Sequence, residues 1–409
     1  MSPIYHRPDL AHDMATQLLS PGVLDQGLRS GLFLSGLRRT GKTTFLRQDL
    51  IPALERAGAL VVYVDLWSDV SADPSTLIHA ALRTALKEMQ SASSDLLSRL
   101  KRIKSLDVGA AGFTFGFEVA DLGTANGVTL AQVAQEVVGQ AKTDLVFIVD
   151  EVQHMLTSEA GIALMQAFKA ARDAVNTRPH TPGHFIFIGT GSHRAQVVGM
   201  TVQGKNAFEG ATSVDYPTLG EDYVAYVLQT LHQEGVKVIP SQPVASHSFA
   251  LLGRRPEEWV RALRTLQKYQ PQDADLYLPV IAATLKEAAA DIEIKKIEEL
   301  GDLACAVFGR VAHAEVDASG LFSVGALGDY SRVVGREVTS DQVQRIAQLL
   351  QDYNLIFRKG YGLYAVTDPF VQQTWRERVP LVAPVSSGKQ IPGNPAAMVA
   401  RSRLSAEEP

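Results

Sequence analysis

Residues 35 to 45 read SGLRRTGKTTF, and Gly36, Gly41, Lys42 and Thr43 stand at the G-x-x-x-x-G-K-[ST] spacing of a phosphate-binding loop. Such a loop works through its backbone. The N–H groups from Leu37 to Thr43 would wrap a β-phosphate at the start of a helix, where the macrodipole favours an anion. Lys42 would reach the β- and γ-phosphate oxygens, and the Thr43 hydroxyl would complete the coordination of a bridging magnesium ion. Gly36, Leu37, Arg38, Arg39, Thr40, Gly41, Lys42, Thr43 and Thr44 are therefore the expected nucleotide-contacting positions. Arg38 and Arg39 stand where many such loops carry small residues. Because the backbone binds the phosphates, their side chains are free to point away. They read either as surface cations at a helix end or as a salt-bridge contact from the loop to a later part of the chain.

A loop of this kind needs an acidic partner at the end of a neighbouring strand, and LVFIVDEVQ supplies Asp150 and Glu151. Asp150 would hold the magnesium, with Thr43, while Glu151 would orient and deprotonate the water that attacks a γ-phosphate. An Asp-Glu pair alone could simply cap a buried strand; beside GLRRTGKTT it reads as chemistry. The run HFIFIGTGSHR adds Thr190 and Ser192, hydroxyls at the end of another apolar strand that could sense the γ-phosphate and place the water. Either could equally belong to a tight turn leaving the sheet, and Ser192 is the favoured sensor.

The elements that must position these groups are legible as periodicity. Apolar runs at 31–35, 60–67, 145–150 and 184–189 alternate with helical patterns, the rhythm of a parallel sheet covered on both faces. One helix opens at Asp73 with Pro74 in its first turn and carries Ile78, Leu82, Ala85, Leu86 and Met89 on one face. Another opens with Thr129 and Gln132 at capping-box spacing and repeats Val133, Val137 and Ala141. Between them, the period-two alternation of Phe113, Phe115, Phe117 and Val119 predicts a small inserted hairpin near 106–127, flanked by the basic run SRLKRIKS. From about 216 the strand signal stops and helices follow. Three helices and two short strands then close the fold, with LIFRKGYGLYAV turning at Gly360 and TSDQVQRIAQLLQDYN in the place of a recognition helix. The reading is α/β: a parallel phosphate-loop core over 1–215, a helical lid over 216–292, a winged helix over 293–380, and a disordered tail over 381–409.

Composition narrows the classes. With 46% hydrophobic and 20% charged residues and a net charge of -5, the chain is an ordinary globular one with no global basic field. A single cysteine, Cys305, excludes a disulfide framework and a cysteine-based zinc site within one chain. The ten histidines form no H-E-x-x-H set, and GTGSH is not a nucleophile elbow. The start MSPIYHRPDL lacks an apolar run of signal-peptide length and no segment has the roughly 18 apolar residues of a membrane span, so a cytoplasmic protein without membrane contact is expected.

YHRPDL, GLRRTGKTT, IVDEVQ, IGTGS, LLGRRP and the terminal winged helix together resemble the AAA+ and STAND branch of phosphate-loop ATPases, most closely the archaeal-type ATPases related to origin recognition. The resemblance covers nearly the whole chain up to 380. It implies an ATPase that uses ATP and Mg2+, with GLRRTGKTT and IVDEVQ as its Walker A and Walker B motifs. It also implies that Arg7 lines the adenine side, that Gln153 lies near the attacking water, and that Arg254 or Arg255 of GRRP is a second sensor swinging onto the γ-phosphate as the lid closes. The sequence departs from that pattern after Ser192, where VVGMTVQGKNAFEGATSVDYP offers no arginine finger and Arg194 is the nearest candidate.

The winged helix implies double-stranded DNA as one partner class. Residues 301–380 hold eight Lys or Arg against nine Asp or Glu, which would make phosphate neutralisation weak, although Arg332, Arg336, Arg358 and Lys359 could form a small patch around the wing. A protein partner or a self-inhibitory docking is the other class, and a nucleotide-dependent oligomer stays open. Two functions follow: a Mg-dependent ATPase that moves its lid and winged helix against DNA or a protein, or a nucleotide-controlled switch with little turnover.

Overall fold

The computed structural model describes residues 4–69, 71–91, 93, 94, 98, 113–123, 127–202, 207–360 and 362–379. The four apolar runs pair into one sheet as β1 (Leu32–Ser35), β2 (Leu60–Asp65), β3 (Leu145–Asp150) and β4 (Phe185–Gly191), with β5 (Thr212–Asp215) added at an edge. The order is β2-β3-β4-β1-β5 and every pairing is parallel. A parallel sheet buries both faces, and alternate residues feed two cores. Phe33, Val62, Val64, Phe147, Val149 and Phe187 pack against helices Pro74–Gln90, Leu130–Ala141 and Glu159–Asn176. Leu34, Val146, Ile148, Ile186 and Ile188 pack on the other side against Pro8–Leu19 and the helix that follows the phosphate loop. β5 escapes sequence reading because TSVD is polar and half exposed, as an edge strand can be.

Local signals fix the helix starts. Asp73 accepts from the Ser75 N–H at 2.8 Å, and Thr129 with Gln132 closes a full capping box. The hairpin expected near 106–127 is corrected by the residues described there. Phe113 to Phe117 hold no strand, and Val119–Asp121 is a 3-10 turn. The alternation reflects burial alone: Phe113, Phe115 and Val119 enter the core, and Phe117 stacks on Phe115 at 5.4 Å. Residues 99–112 and 124–126, with most of the basic run, lie outside the described residues, as does the tail from 380.

Helices Glu221–Gln233, Gln242–Leu251 and Pro256–Tyr269 form a separate core around Phe249, Trp259, Leu263 and Leu266. The long helix Ala274–Glu299 joins two cores, giving Leu278 and Ala282 to this one and Ala290, Ile294 and Ile297 to the next. There Asp302–His313, Val324–Val334 and Ser340–Asp352 precede the antiparallel pair β6 (Ile356–Gly360) and β7 (Leu363–Val366), with Ala318 bridging to Tyr364. This is the order of a winged helix. A further helix, Pro369–Arg378, seals it with Trp375 against Phe308; its signal was the Asp368-Pro369 start, where Asp368 accepts from Phe370 N at 3.0 Å.

Candidate nucleotide site

β1 runs straight into the loop, which closes at Gly41 with φ 91, a left-handed conformation that glycine adopts without strain. Thr40 is buried and its hydroxyl donates to the Leu37 carbonyl at 2.9 Å, bracing the turn from inside. Lys42 is buried and its Nζ donates to the carbonyls of Gly36 at 2.7 Å and Leu37 at 2.8 Å. Burial depresses its pKa, opposed by the charges of Glu151 and Asp150 and reinforced by Arg38.

The ends of β3 and β4 bring the acidic pair and the hydroxyls to the same place. Asp150 accepts from Thr43 Oγ1 at 2.7 Å, from Thr190 Oγ1 in a short hydrogen bond, and from Tyr63 OH at 3.3 Å. Glu151 turns the other way because its own φ is 55. Its Oε2 accepts from Ser192 Oγ at 2.8 Å, from Ser192 N at 3.3 Å, and from Gln153 Nε2. The two hydroxyls thus divide between the two carboxylates. Asp65, level with Asp150 at the end of β2, is a further acidic neighbour the sequence reading passed over. Burial raises its pKa, the Trp67 N–H opposes this, and Asp150 and Glu151 add to the rise. The only signal was an aspartate closing an apolar strand.

The two arginines part at Arg39, whose φ is 65. Arg39 reaches the lid, with Nε 3.1 Å from Glu257 and Nη1 3.2 Å from Glu258. Arg38, though exposed, turns towards the strand ends: Nε donates to Ser192 Oγ at 3.2 Å and the guanidinium lies 4.3 Å over the Trp67 ring.

Between loop and lid lies a cavity of about 370 Å³ lined by Tyr5, Arg7, Arg39, Thr44, Tyr216 and Tyr223. A π turn over Leu46–Leu50 points the buried Asp49 towards the N-terminal segment, where it holds His6 Nδ1 at 2.7 Å and the Arg7 N–H at 3.2 Å. Arg7 Nη1 donates to the Pro217 carbonyl at 2.5 Å and to Tyr216 OH at 3.3 Å. One wall of the cavity is therefore fixed by contacts more than 200 residues apart in sequence.

The second-sensor candidates sit elsewhere in this structure. Arg255 pairs with Asp368 and lies 5.3 Å over Phe370, both in the winged helix. Arg254 lines a lid cavity with Gly220, Glu221 and His247. Arg194 pairs with Asp215 and lies 4.7 Å over Phe357.

A Thr–Asp pair of hard oxygens fits magnesium, which keeps waters and takes phosphate oxygens beside one or two protein ligands. Both Asp150 oxygens meet hydroxyl donors here, so the carboxylate is already oriented for such a role.

A family model described as an AAA domain matches residues 26–197, from just before β1 to just beyond β4. Residues 26–197 are an AAA domain. No curated protein matches the chain. Among solved structures, the Aeropyrum pernix ORC2 protein in its ADP form is similar over 92% of this chain and 94% of that one, at 11% identity and a TM-score of 0.51. The ADPNP-ADP complexes of the same protein follow at 14% identity and 0.47, over 92% and 93% of the two chains. The Aeropyrum pernix ORC1 protein in complex with DNA follows at 14% identity and 0.39, over 93% and 94%. The first of these shares the fold: an AAA-type parallel sheet followed by a helical lid and a winged helix. Among the described residues, no helix is long and apolar enough to cross a membrane.

Proposed function

We propose that the AAA domain makes this chain a Mg-dependent ATPase whose nucleotide state moves the lid and the winged helix. The division into 1–215, 216–292 and 293–380 belongs to that proposal. One observation carries it: the acidic pair is split, Asp150 towards the loop threonine and Glu151 towards the sensor serine. That split separates a metal-side carboxylate from a water-side one, which hydrolysis needs.

In the proposed cycle Lys42 exchanges the carbonyls of Gly36 and Leu37 for β- and γ-phosphate oxygens. Thr43 and Asp150 would hold the magnesium, which would supply charge neutralisation on those phosphates. Glu151, oriented by Ser192 and Gln153, accepts a proton from the attacking water, and Thr190 keeps Asp150 aligned. Arg7, Tyr216 and Tyr223 face the base in the cavity beside the loop. Arg255 becomes a lid sensor only on leaving Asp368, and Arg254 by a comparable turn of the lid.

The second reading, a nucleotide-controlled switch with little turnover, is favoured by a different contact. The winged helix sits on the sensor loop: Asn354 Nδ2 donates to the Ser192 carbonyl at 3.3 Å, and His193 Nε2 meets the Asp352 carbonyl at 3.1 Å. The wing cations also have partners, Arg332 with Asp329, Lys359 with Asp317, and Arg336 with Gln342. Those contacts support a protein partner or self-docking over double-stranded DNA. Turnover measured with and without double-stranded DNA, beside the mass in solution with and without a slowly hydrolysed ATP analogue, separates the readings. Stimulation by DNA supports the motor-like ATPase, a slow unstimulated rate supports the switch, and failure to bind ATP overturns both.

A further inference from the structure

We propose that Arg38 is a γ-phosphate ligand supplied in cis by the phosphate loop itself, doing the work that an arginine finger from a neighbouring subunit would otherwise do. The inference rests on the ATPase reading and names a residue that reading leaves without a task.

The geometry separates Arg38 from an ordinary surface cation. It is tied to the sensor hydroxyl, Nε to Ser192 Oγ at 3.2 Å, and that hydroxyl donates in turn to Glu151 at 2.8 Å. The guanidinium therefore stands one hydroxyl away from the carboxylate that would hold the attacking water. Its face is clamped by the Trp67 ring at 4.3 Å, a contact that fixes an arginine without neutralising it. Among the described residues no carboxylate forms an ion pair with Arg38, although its partner Ser192 also donates to Glu151.

The neighbouring arginine makes the contrast. Arg39 is consumed by Glu257 and Glu258 of the lid, and its positive φ sends the two side chains different ways. Of the other arginines considered for this task, Arg194 is held by Asp215 and Arg255 by Asp368, while Arg254 lines a separate lid cavity. A guanidinium aimed at the equatorial oxygens of a transferring phosphoryl group stabilises charge where it is spread in the transition state, and Arg supplies two donors where Lys supplies a point charge. Arg38 keeps Nη1 and Nη2 for that purpose while Nε holds Ser192, so loading of the loop and alignment of the sensor become one event.

The test uses the full chain and compares wild type, Arg38→Ala, Arg38→Lys and Glu151→Gln. Arg38→Ala is expected to bind ADP within about threefold of wild type while turnover falls about 100-fold or more, the order lost with one transition-state donor. It should also lose the extra affinity for ADP with aluminium fluoride, a mimic of the transferring phosphoryl group. Arg38→Lys should not restore turnover, millimolar guanidinium added to Arg38→Ala should restore part of it, and wild-type specific activity should not rise with protein concentration. Turnover of Arg38→Ala within threefold of wild type, or equal affinity of both for ADP with aluminium fluoride, overturns the assignment. Specific activity that climbs with concentration would move the role to a neighbouring subunit and overturn it too. Absence of turnover in wild type as well as Glu151→Gln defeats the ATPase reading separately, and the aluminium fluoride comparison still judges Arg38.

Discussion

Asp150 and Glu151 are adjacent in the chain, yet one faces Thr43 and the other faces Ser192, because Glu151 adopts a left-handed backbone that reverses the side-chain direction. A residue with φ near 55 costs of order 1 kcal/mol unless its surroundings hold it, and such strain collects at functional sites. Here Gln153 and Ser192 grip the carboxylate from two sides. Two outcomes follow at this scale. Lys42→Ala should weaken ATP binding at least tenfold, read by titration of a fluorescent analogue, because nothing else in the loop offers a buried ammonium. Glu151→Gln should bind ATP nearly as wild type and lose about 100-fold in turnover, the low end for removal of a general base. Steady turnover in that variant would sink the assignment of the base.

At the scale of elements, the site is held by two junctions: strand ends against each other, and loop against lid. Gly191 ends β4 where a side chain has no room, since a Cβ there would lie 2.2 Å from Gln153 Oε1 and 2.6 Å from Val197 Cγ2. Gly191→Ala should therefore destabilise the chain by about 1–3 kcal/mol through overpacking and disturb turnover as Gln153 moves, both measurable on one preparation by thermal melting and phosphate release. The loop–lid junction behaves differently. Arg39 and Glu257 are more than half exposed, so their pairing contributes under about 1 kcal/mol to global stability. Arg39→Ala should leave the melting temperature almost unchanged while hydrogen exchange rises over the first turns of Pro256–Tyr269; unchanged exchange there would show that the lid is held by its apolar contacts alone.

For the whole molecule, the winged helix touches both the lid and the parallel-sheet domain. Asp368 takes Arg255 from the lid, and Asp352 and Asn354 meet the loop after β4 at His193 and Ser192. His193 makes the second joint sensitive to pH. Burial first, and the charge of Arg38 as well, hold its pKa below the ordinary 6.5, against the opposing hydrogen bond to the Asp352 carbonyl. A histidine with a depressed folded pKa binds its proton more readily once released, so its contribution is present above about 6.5 and is lost as pH falls below that value. The melting temperature should drop between pH 7 and pH 5.5 with a component that His193→Gln removes. A drop of the same size in that variant would place the titrating group elsewhere.

The sequence reading and the structure agree most closely where chemistry depends on local order. The strand before GLRRTGKTT, the capped helices at Asp73 and Thr129, and the strand ending in Asp150 are short-range patterns, and each forms where its residues predict. Readings failed where burial and pairing produce the same alternation. Phe113, Phe115 and Val119 look like a strand because every second residue is buried, but a chain can alternate against a core without a partner to pair with. β5 failed for the opposite reason: it pairs through its backbone with β1 while carrying polar side chains at an edge.

What the amino-acid order determined by itself is the loop, the acidic pair, the hydroxyl-bearing strand end and the succession from parallel core to helical lid to winged helix. All of these depend on spacing within tens of residues and on the period of apolar positions. Only the tertiary structure decided the partners. Arg39 found Glu257 and Glu258, Arg38 found Ser192 and Trp67, and Arg255 found Asp368, pairs separated by roughly thirty to more than two hundred residues. Two adjacent arginines are indistinguishable in a string of letters; a single left-handed residue between two environments sends one to the lid and keeps the other in the site. That choice is made by backbone geometry and by which distant surfaces fold against the loop, and neither is written in local sequence.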